Sequence, residues 1–370
     1  MRIRTSRLPF LGLVFLSAIA SLGILPAVGQ DKVVHVYNWS DYIDTSIIDQ
    51  FEQETGIKVL YDVFDANSVL ETKLLAGESG YDVVVPSSSF LERQAQAGVF
   101  QPLDKSRLHN LGNLWDVIQQ RTDSFDHGGK YSVNYMWGTT GIGYNTDAVK
   151  ARLGIDAIDS WEVIFDPDKL AKLSDCGVHV LDTPGGVLPA AMNYLGLDPK
   201  SQEPADFEQA ADLMVKIRPY ITKFHSSAYI DALASGDACL VIGWSGDVLQ
   251  ARDRADDAGS GVHVEYVIPK EGAQMWFDQM AIPRDAPNPE AAHLFIDFMM
   301  RPDTIAAASN YVHYANGNKA SQALLDSDVV DDPGIYPPPA VMAKLYVTPT
   351  YEQDILRLNN RLWTRIKSGE

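Results

Sequence analysis

The stretch 81-YDVVVPSSSFLERQAQAG-98 decides the fold. Three consecutive valines after Tyr81 and Asp82 leave no polar face, the pattern of a strand buried on both sides in a parallel sheet. Pro86 and three serines form a loop, and a helical run follows. The same unit occurs twice upstream. A strand with Val34 and Val36 alternating with His35 and Tyr37 leads to 45-TSIIDQFEQETG-56. There Thr45 or Ser46 is the expected cap, Ile47, Ile48 and Phe51 the buried face, and Gly56 the stop. Next, 57-IKVLYDVFD-65 alternates as a strand, and 68-SVLETKLLAGESG-80 reads as a helix with Ser68 and Glu71 as a capping box. The order β-α-β-α-β-α predicts an α/β sheet with helices on its faces. Ligands of such sheets sit outside the carboxyl ends of the strands. Trp39-Ser40-Asp41-Tyr42 and Ser87-Ser88-Ser89 both fall at that edge.

A second block starts near 137-WGTTGIGYNTDAV-149, where Gly138, Gly141 and Gly143 interrupt a strand-like run. Helical runs at 161–174 and 206–217 and the buried strand 238-ACLVIGW-244 follow. Gly- and Asp-rich 256-DDAGSG-261 then precedes another strand, 262-VHVEYVIP-269. In 290-EAAHLFIDFMM-300, helical spacing turns Leu294, Phe295, Phe298 and Met299 inward. The coarse picture is two α/β lobes, which suits a chain of 370 residues.

Residues 1–29 read as an export signal: Arg2, Arg4 and Arg7, then the apolar run 8-LPFLGLVFLSAIASLGILPAV-28, then small residues at Ala27 and Gly29. Its length also admits a retained anchor, although Pro9 and Pro26 favour cleavage. No cysteine stands at the junction to carry a lipid. Removing the three leader arginines leaves 27 basic residues against 49 acids, a net charge of −22. Such a field repels nucleic acid and draws in cations, though solubility alone also accounts for it. The two cysteines, Cys176 and Cys239, suggest a bridge in an oxidising compartment, with buried free thiols the alternative.

Enzyme signals are weak. The histidines show no metal spacing, and no cofactor is implied. The segment 243-GWSGD-247 resembles a nucleophile elbow but ends on Asp247 where that motif needs glycine. What recurs is a carboxylate beside aromatics at strand ends: Trp39 to Tyr42, Trp244-Ser245-Gly246-Asp247, and Trp276-Phe277-Asp278, with Tyr314 as a further wall. Singly, each tryptophan reads as a core edge and each aspartate as a turn or cap. Together they suit an organic cation. An ammonium is attracted to aromatic faces, and it can be buried only where a carboxylate pairs with it.

These residues carry a resemblance. The strings 37-YNWSDYI-43, 61-YDVFDAN-67, 85-VPSSSFLERQ-94, 136-MWGTTGIGYN-145, 225-HSSAYI-230 and 243-GWSGDV-248 resemble the periplasmic putrescine-binding proteins of bacterial polyamine ABC transporters, over most of the chain. The resemblance implies a non-enzymatic, monomeric type II periplasmic binding protein that hands its ligand to an inner-membrane permease. It implies crossings near Gly138, Gly259 and Gly317, with lobe one at 31–137 plus 260–316 and lobe two at 138–259 plus 317–370. By the same resemblance Asp278 pairs with one ammonium while Asp41 and Asp247 help hold the ligand. Trp39, Tyr42, Trp244, Trp276 and Tyr314 match the aromatic box, and Ser40, Ser87, Ser89 and Ser226 the polar contacts. Cys176 and Cys239 match the family disulfide.

Two departures stand out. Relatives commonly carry glutamate in the segment 182-DTPGGVLP-189, where this chain has Gly185-Gly186. Position 276 is often phenylalanine in putrescine binders and tryptophan in spermidine binders, and here it is tryptophan. Extended putrescine spans ~6 Å between nitrogens and spermidine ~11 Å. Putrescine is the expected ligand. Spermidine, a polyamine sensor without transport, and a hydrolase are the alternatives.

Overall fold

The computed structural model describes residues 32–126 and 128–369, so the expected export signal lies outside the described residues. The described residues form ten strands: β1 (Val33–Trp39), β2 (Lys58–Phe64), β3 (Val83–Val84), β4 (Ser132–Asn145), β5 (Val178–Val180), β6 (Lys223–Phe224), β7 (Leu240–Trp244), β8 (Val264–Val267), β9 (Gln274–Ala281) and β10 (Ala315–Asn316). Their order is β2-β1-β3-β9-β4-β7-β5-β6, with β8 and β10 also on β4. The opening unit is parallel as expected: β1 lies between β2 and β3 and runs parallel to both. Val83 and Val84 are fully buried.

The two largest hydrophobic cores share β4, 14 residues long, which runs through both. Val133, Tyr135 and Met136 pack in the first with Val34, Phe51, Phe295 and Phe298. Ile142 and Tyr144 pack in the second with Trp161, Phe207, Ile242 and Trp363. The expected division at 259/260 falls ahead of β8. However, β8 pairs with Ile142–Asn145 and Val264 packs in the second core. The chain therefore returns along β9, whose Met280 lies in the first core. The stretch 256–261 is mainly the end of the helix Ser245–Asp257 and its turn.

Several local expectations differ in detail. Asp44, not Thr45 or Ser46, caps the helix Thr45–Thr55, its carboxylate accepting from Ser46 N at 2.9 Å, and Gly56 ends it at φ 67°. The helix Asn67–Leu75 has no side-chain cap, because its capping position is Ala66 and Ser68 lies within its first turn; Glu71 accepts from Arg93 Nη2 at 2.7 Å. The run 161–174 is short helical pieces broken at Asp166-Pro167. In the helix Pro289–Met299, Leu294 faces solvent while Phe295, Phe298 and Met299 are buried. Cys176 and Cys239 are joined, their Cα atoms 5.5 Å apart. Among the described residues no helix is long and apolar enough to cross a membrane.

Candidate functional site

The loops after β1, β3 and β7 and one face of β9 converge on a cavity of about 1330 Å3 between the two cores. Every residue expected to bind lines it: Trp39, Ser40, Asp41, Tyr42, Ser87, Ser89, Ser226, Trp244, Asp247, Trp276, Asp278 and Tyr314. They are not equivalent. Asp278, buried on β9, accepts from Tyr42 Oη at 2.8 Å and from Ser87 Oγ at 2.6 Å. Ser87 precedes the helix Ser88–Gln96 and makes no side-chain cap there, since its hydroxyl goes to the acid. Asn67 holds that serine from the other side, Nδ2 donating to Ser87 Oγ at 2.9 Å.

Asp247 lies in the first turn of the helix Ser245–Asp257, on the second core. It accepts from Tyr314 Oη at 2.6 Å and Tyr229 Oη at 2.7 Å. Burial pushes Asp278 up to about 7, against the pull of Ser87 and Tyr42, and the Asp247 charge adds to the rise. Burial likewise pushes Asp247 up to about 6, against Tyr314 and Tyr229. The same burial drives the Tyr42 and Tyr314 phenols well above their ordinary value, so both remain donors. Two buried carboxylates held by neutral donors, with no cation bonded to either among the described residues, retain their attraction for an incoming positive charge.

Aromatic rings connect the two acids. Tyr42 meets Tyr314 edge-on at 5.1 Å, Tyr314 meets Trp276 at 5.4 Å, Trp276 meets Trp244 at 6.4 Å, and Trp244 meets Trp39 at 5.7 Å. Trp39 is fixed by Nε1 donating to Val85 O at 2.9 Å. Two glycines make this wall possible by close approach. A Cβ on Gly138 would lie 2.7 Å from Trp276 Cζ2, and one on Gly246 would lie 2.4 Å from Tyr314 Cδ2. The glycine of the elbow-like 243-GWSGD-247 thus admits a tyrosine ring. Ser245 Oγ of that segment accepts from Thr139 N at 3.3 Å.

Asp41 differs from the other two acids. It is exposed, at φ 53°, and Arg254 Nη2 donates to its Oδ1 at 3.0 Å while Nη1 donates to Asp231 at 2.7 Å. It stands at the rim as one half of an ion pair between a loop of the first core and a helix of the second. Ser40 is also a rim residue, its Oγ donating to Asp65 Oδ1 at 2.7 Å. Ser226 Oγ accepts from Asp182 N at 3.2 Å, and Ser89 contributes its carbonyl to Thr350 Oγ1 at 3.2 Å.

Sequence reasoning missed Tyr229, Asn67, Arg254 and Gln274. Only Gln274 carried a signal. Alternation along β9 puts it on one face with Trp276 and Asp278. The other three reach the site through tertiary packing alone. No group of three His, Cys, Asp or Glu is placed to hold a metal among the described residues.

Residues 46–337 match the family model of bacterial extracellular solute-binding proteins. A putrescine-binding periplasmic protein of Escherichia coli K12 is 51% identical over 95% of each chain. One from Pseudomonas aeruginosa is 49% identical over 97% of this chain and 98% of its own. The solved structure of a putative spermidine/putrescine ABC transporter protein from Listeria monocytogenes superposes with a TM-score of 0.82 at 32% identity, covering 92% of this chain and all of that one. The chain belongs to the bacterial extracellular solute-binding protein family, in the branch of periplasmic polyamine-binding proteins.

Proposed function

We propose that the protein captures putrescine in the periplasm and delivers it, as a monomer, to an inner-membrane ABC permease. It binds and releases its ligand unchanged, in keeping with membership of a solute-binding family. The observation that carries this reading is the convergence of Asp278 and Asp247, both buried and tyrosine-held, on one cavity walled by Trp39, Trp244, Trp276 and Tyr314. A dication pays several kcal/mol to leave water unless anionic oxygens replace its shell. Each ring face contributes up to ~2 kcal/mol to an ammonium when desolvated. The carbon stem gains about 25 cal/mol per Å2 buried against indole. In this reading Asp278 and Asp247 supply charge, the five aromatics hold the stem, and Ser87 and Ser226 orient. Asp41 acts at the rim through Arg254.

Calorimetric titration with putrescine, cadaverine, spermidine and spermine tests the assignment. Saturable one-to-one binding, tightest for putrescine, is the expected result. Binding of an amino acid or a sugar in place of every polyamine refutes it. The bulk of Trp276 and the size of the cavity favour a second reading, spermidine as the main ligand, which the same titration decides.

A further inference from the structure

Resting on the reading of this cavity as a polyamine site, we propose that its far end is built for an uncharged hydrogen-bonding group. The protein then accepts mono-acylated diamines alongside putrescine, and Gln274 and Gly185 set that tolerance.

Along β9, Gln274, Trp276 and Asp278 share one face and all line the cavity. Four residues of strand span about 13 Å. One strand therefore presents an acid, an indole and an amide in a row. Both free acids belong to one end. Asp278 is bonded to Tyr42 and Asp247 to Tyr314, and those two rings touch.

The other end offers no unpaired acid shielded from water. Gln274 Nε2 donates to Gly185 O at 3.1 Å and to Thr348 Oγ1 at 2.8 Å. That fixes the amide and leaves Oε1, which accepts only a long bond from Thr140 Oγ1 at 3.5 Å, with a second lone pair open. Asp182, three residues before Gly185, is already engaged by Lys367 Nζ at 3.0 Å and Trp363 Nε1 at 2.7 Å. Glu352 also borders the cavity but is exposed to water. Gly185 is not demanded by its backbone, because a Cβ there would meet nothing within 4 Å. Its missing side chain leaves room beside Gln274.

An ammonium arriving here finds one half-buried acid, Asp182, already paired with Lys367, and otherwise neutral acceptors. It also meets the first turn of the helix Pro184–Tyr194, whose capping residue Thr183 offers no side-chain bond. Helix N-termini disfavour cations and favour oxygen acceptors. A secondary amide suits these surroundings better. Its N–H donates to Gln274 Oε1, and its carbonyl accepts from the Ser226 hydroxyl or a first-turn N–H. The acyl group adds about 2.5 Å to the ~6 Å of putrescine, well within the length of the β9 face.

The test is calorimetric titration of the mature protein with putrescine, N-acetylputrescine and N,N′-diacetylputrescine, repeated on Gln274→Glu and Gly185→Glu. The wild type is expected to bind N-acetylputrescine within about tenfold of putrescine and to reject the diacetyl compound, which has no ammonium for Asp278. Each variant, checked as folded by its circular dichroism, is expected to shift the ratio toward putrescine by about tenfold or more. Putrescine binding with N-acetylputrescine weaker by about a hundredfold in the wild type overturns the inference and leaves the receptor reading standing. So does an unchanged ratio in both folded variants. Failure of putrescine and N-acetylputrescine alike overturns the inference and the putrescine assignment together.

Discussion

Replacing Asp278 by asparagine separates a charge kept for a ligand from a charge kept for the fold. Asparagine preserves the shape and can still bond both neighbours, its oxygen accepting from Tyr42 while its amide donates to Ser87 Oγ. What disappears is the negative charge, so a bound ammonium loses its buried partner. Breaking such a pair costs about 3–5 kcal/mol, or roughly two to three and a half orders of magnitude in Kd. The unliganded protein should respond in the opposite direction. Burial raises Asp278 from 3.8 to about 7, roughly three units at 1.36 kcal/mol each, so ionising it in the fold costs ~4 kcal/mol. A carboxyl raised in the fold stabilises fully below its unfolded value, and that contribution is lost as pH rises through about 7. Wild-type melting temperature should therefore fall between pH 5 and pH 8, and the variant should remove much of that fall. At about 2.1 cal/mol/K per residue, ~4 kcal/mol corresponds to roughly 5 °C at pH 8. Scanning calorimetry at pH 5, 6, 7 and 8, with and without putrescine, reads both effects. A variant that loses stability equally at every pH would show that the carboxylate is a structural bond to Tyr42 and Ser87, and the reasoning fails. Unchanged affinity would refute it as directly.

Three further outcomes follow from the same geometry. Ligand affinity should fall about tenfold per pH unit below about 7 and more steeply below about 6, as protons compete first at Asp278 and then at Asp247; a flat titration series from pH 8 to pH 5 contradicts this. Asp41→Ala and Arg254→Ala should each weaken binding only severalfold, by a faster off-rate, because the rim pair is exposed and worth under ~1 kcal/mol; stopped-flow release showing a far larger loss for Asp41→Ala would return that acid to direct ligand contact. Gly138→Ala should cost about 1–3 kcal/mol in urea denaturation and weaken binding, since the new methyl meets Trp276 and Ser245; unchanged stability and tryptophan fluorescence would mean that the indole is not held there.

The chain by itself determined the class of fold and the chemistry of the site. Continuous valines at 83–85 can only be buried on both faces, and the alternation of strand and helix around them leaves an α/β sheet with its loops at one edge. The recurrence of an acid beside aromatics at strand ends was legible because local residue type carries its own physics: carboxylates for negative charge, rings for apolar π faces. Tertiary structure decided which acids remain available. Asp41, Asp247 and Asp278 look alike in sequence, yet Arg254, more than two hundred residues from Asp41, neutralises the first, while Tyr229, Tyr314, Tyr42 and Ser87 hold the others without charge. Alternation along β9 puts Gln274 on the face of Trp276 and Asp278, but the orientation of its amide is set by Gly185 and Thr348 from distant segments. Electrostatic environment and hydrogen-bond partnership depend on distance in space, and no local pattern along the chain encodes the neighbours that folding brings from afar.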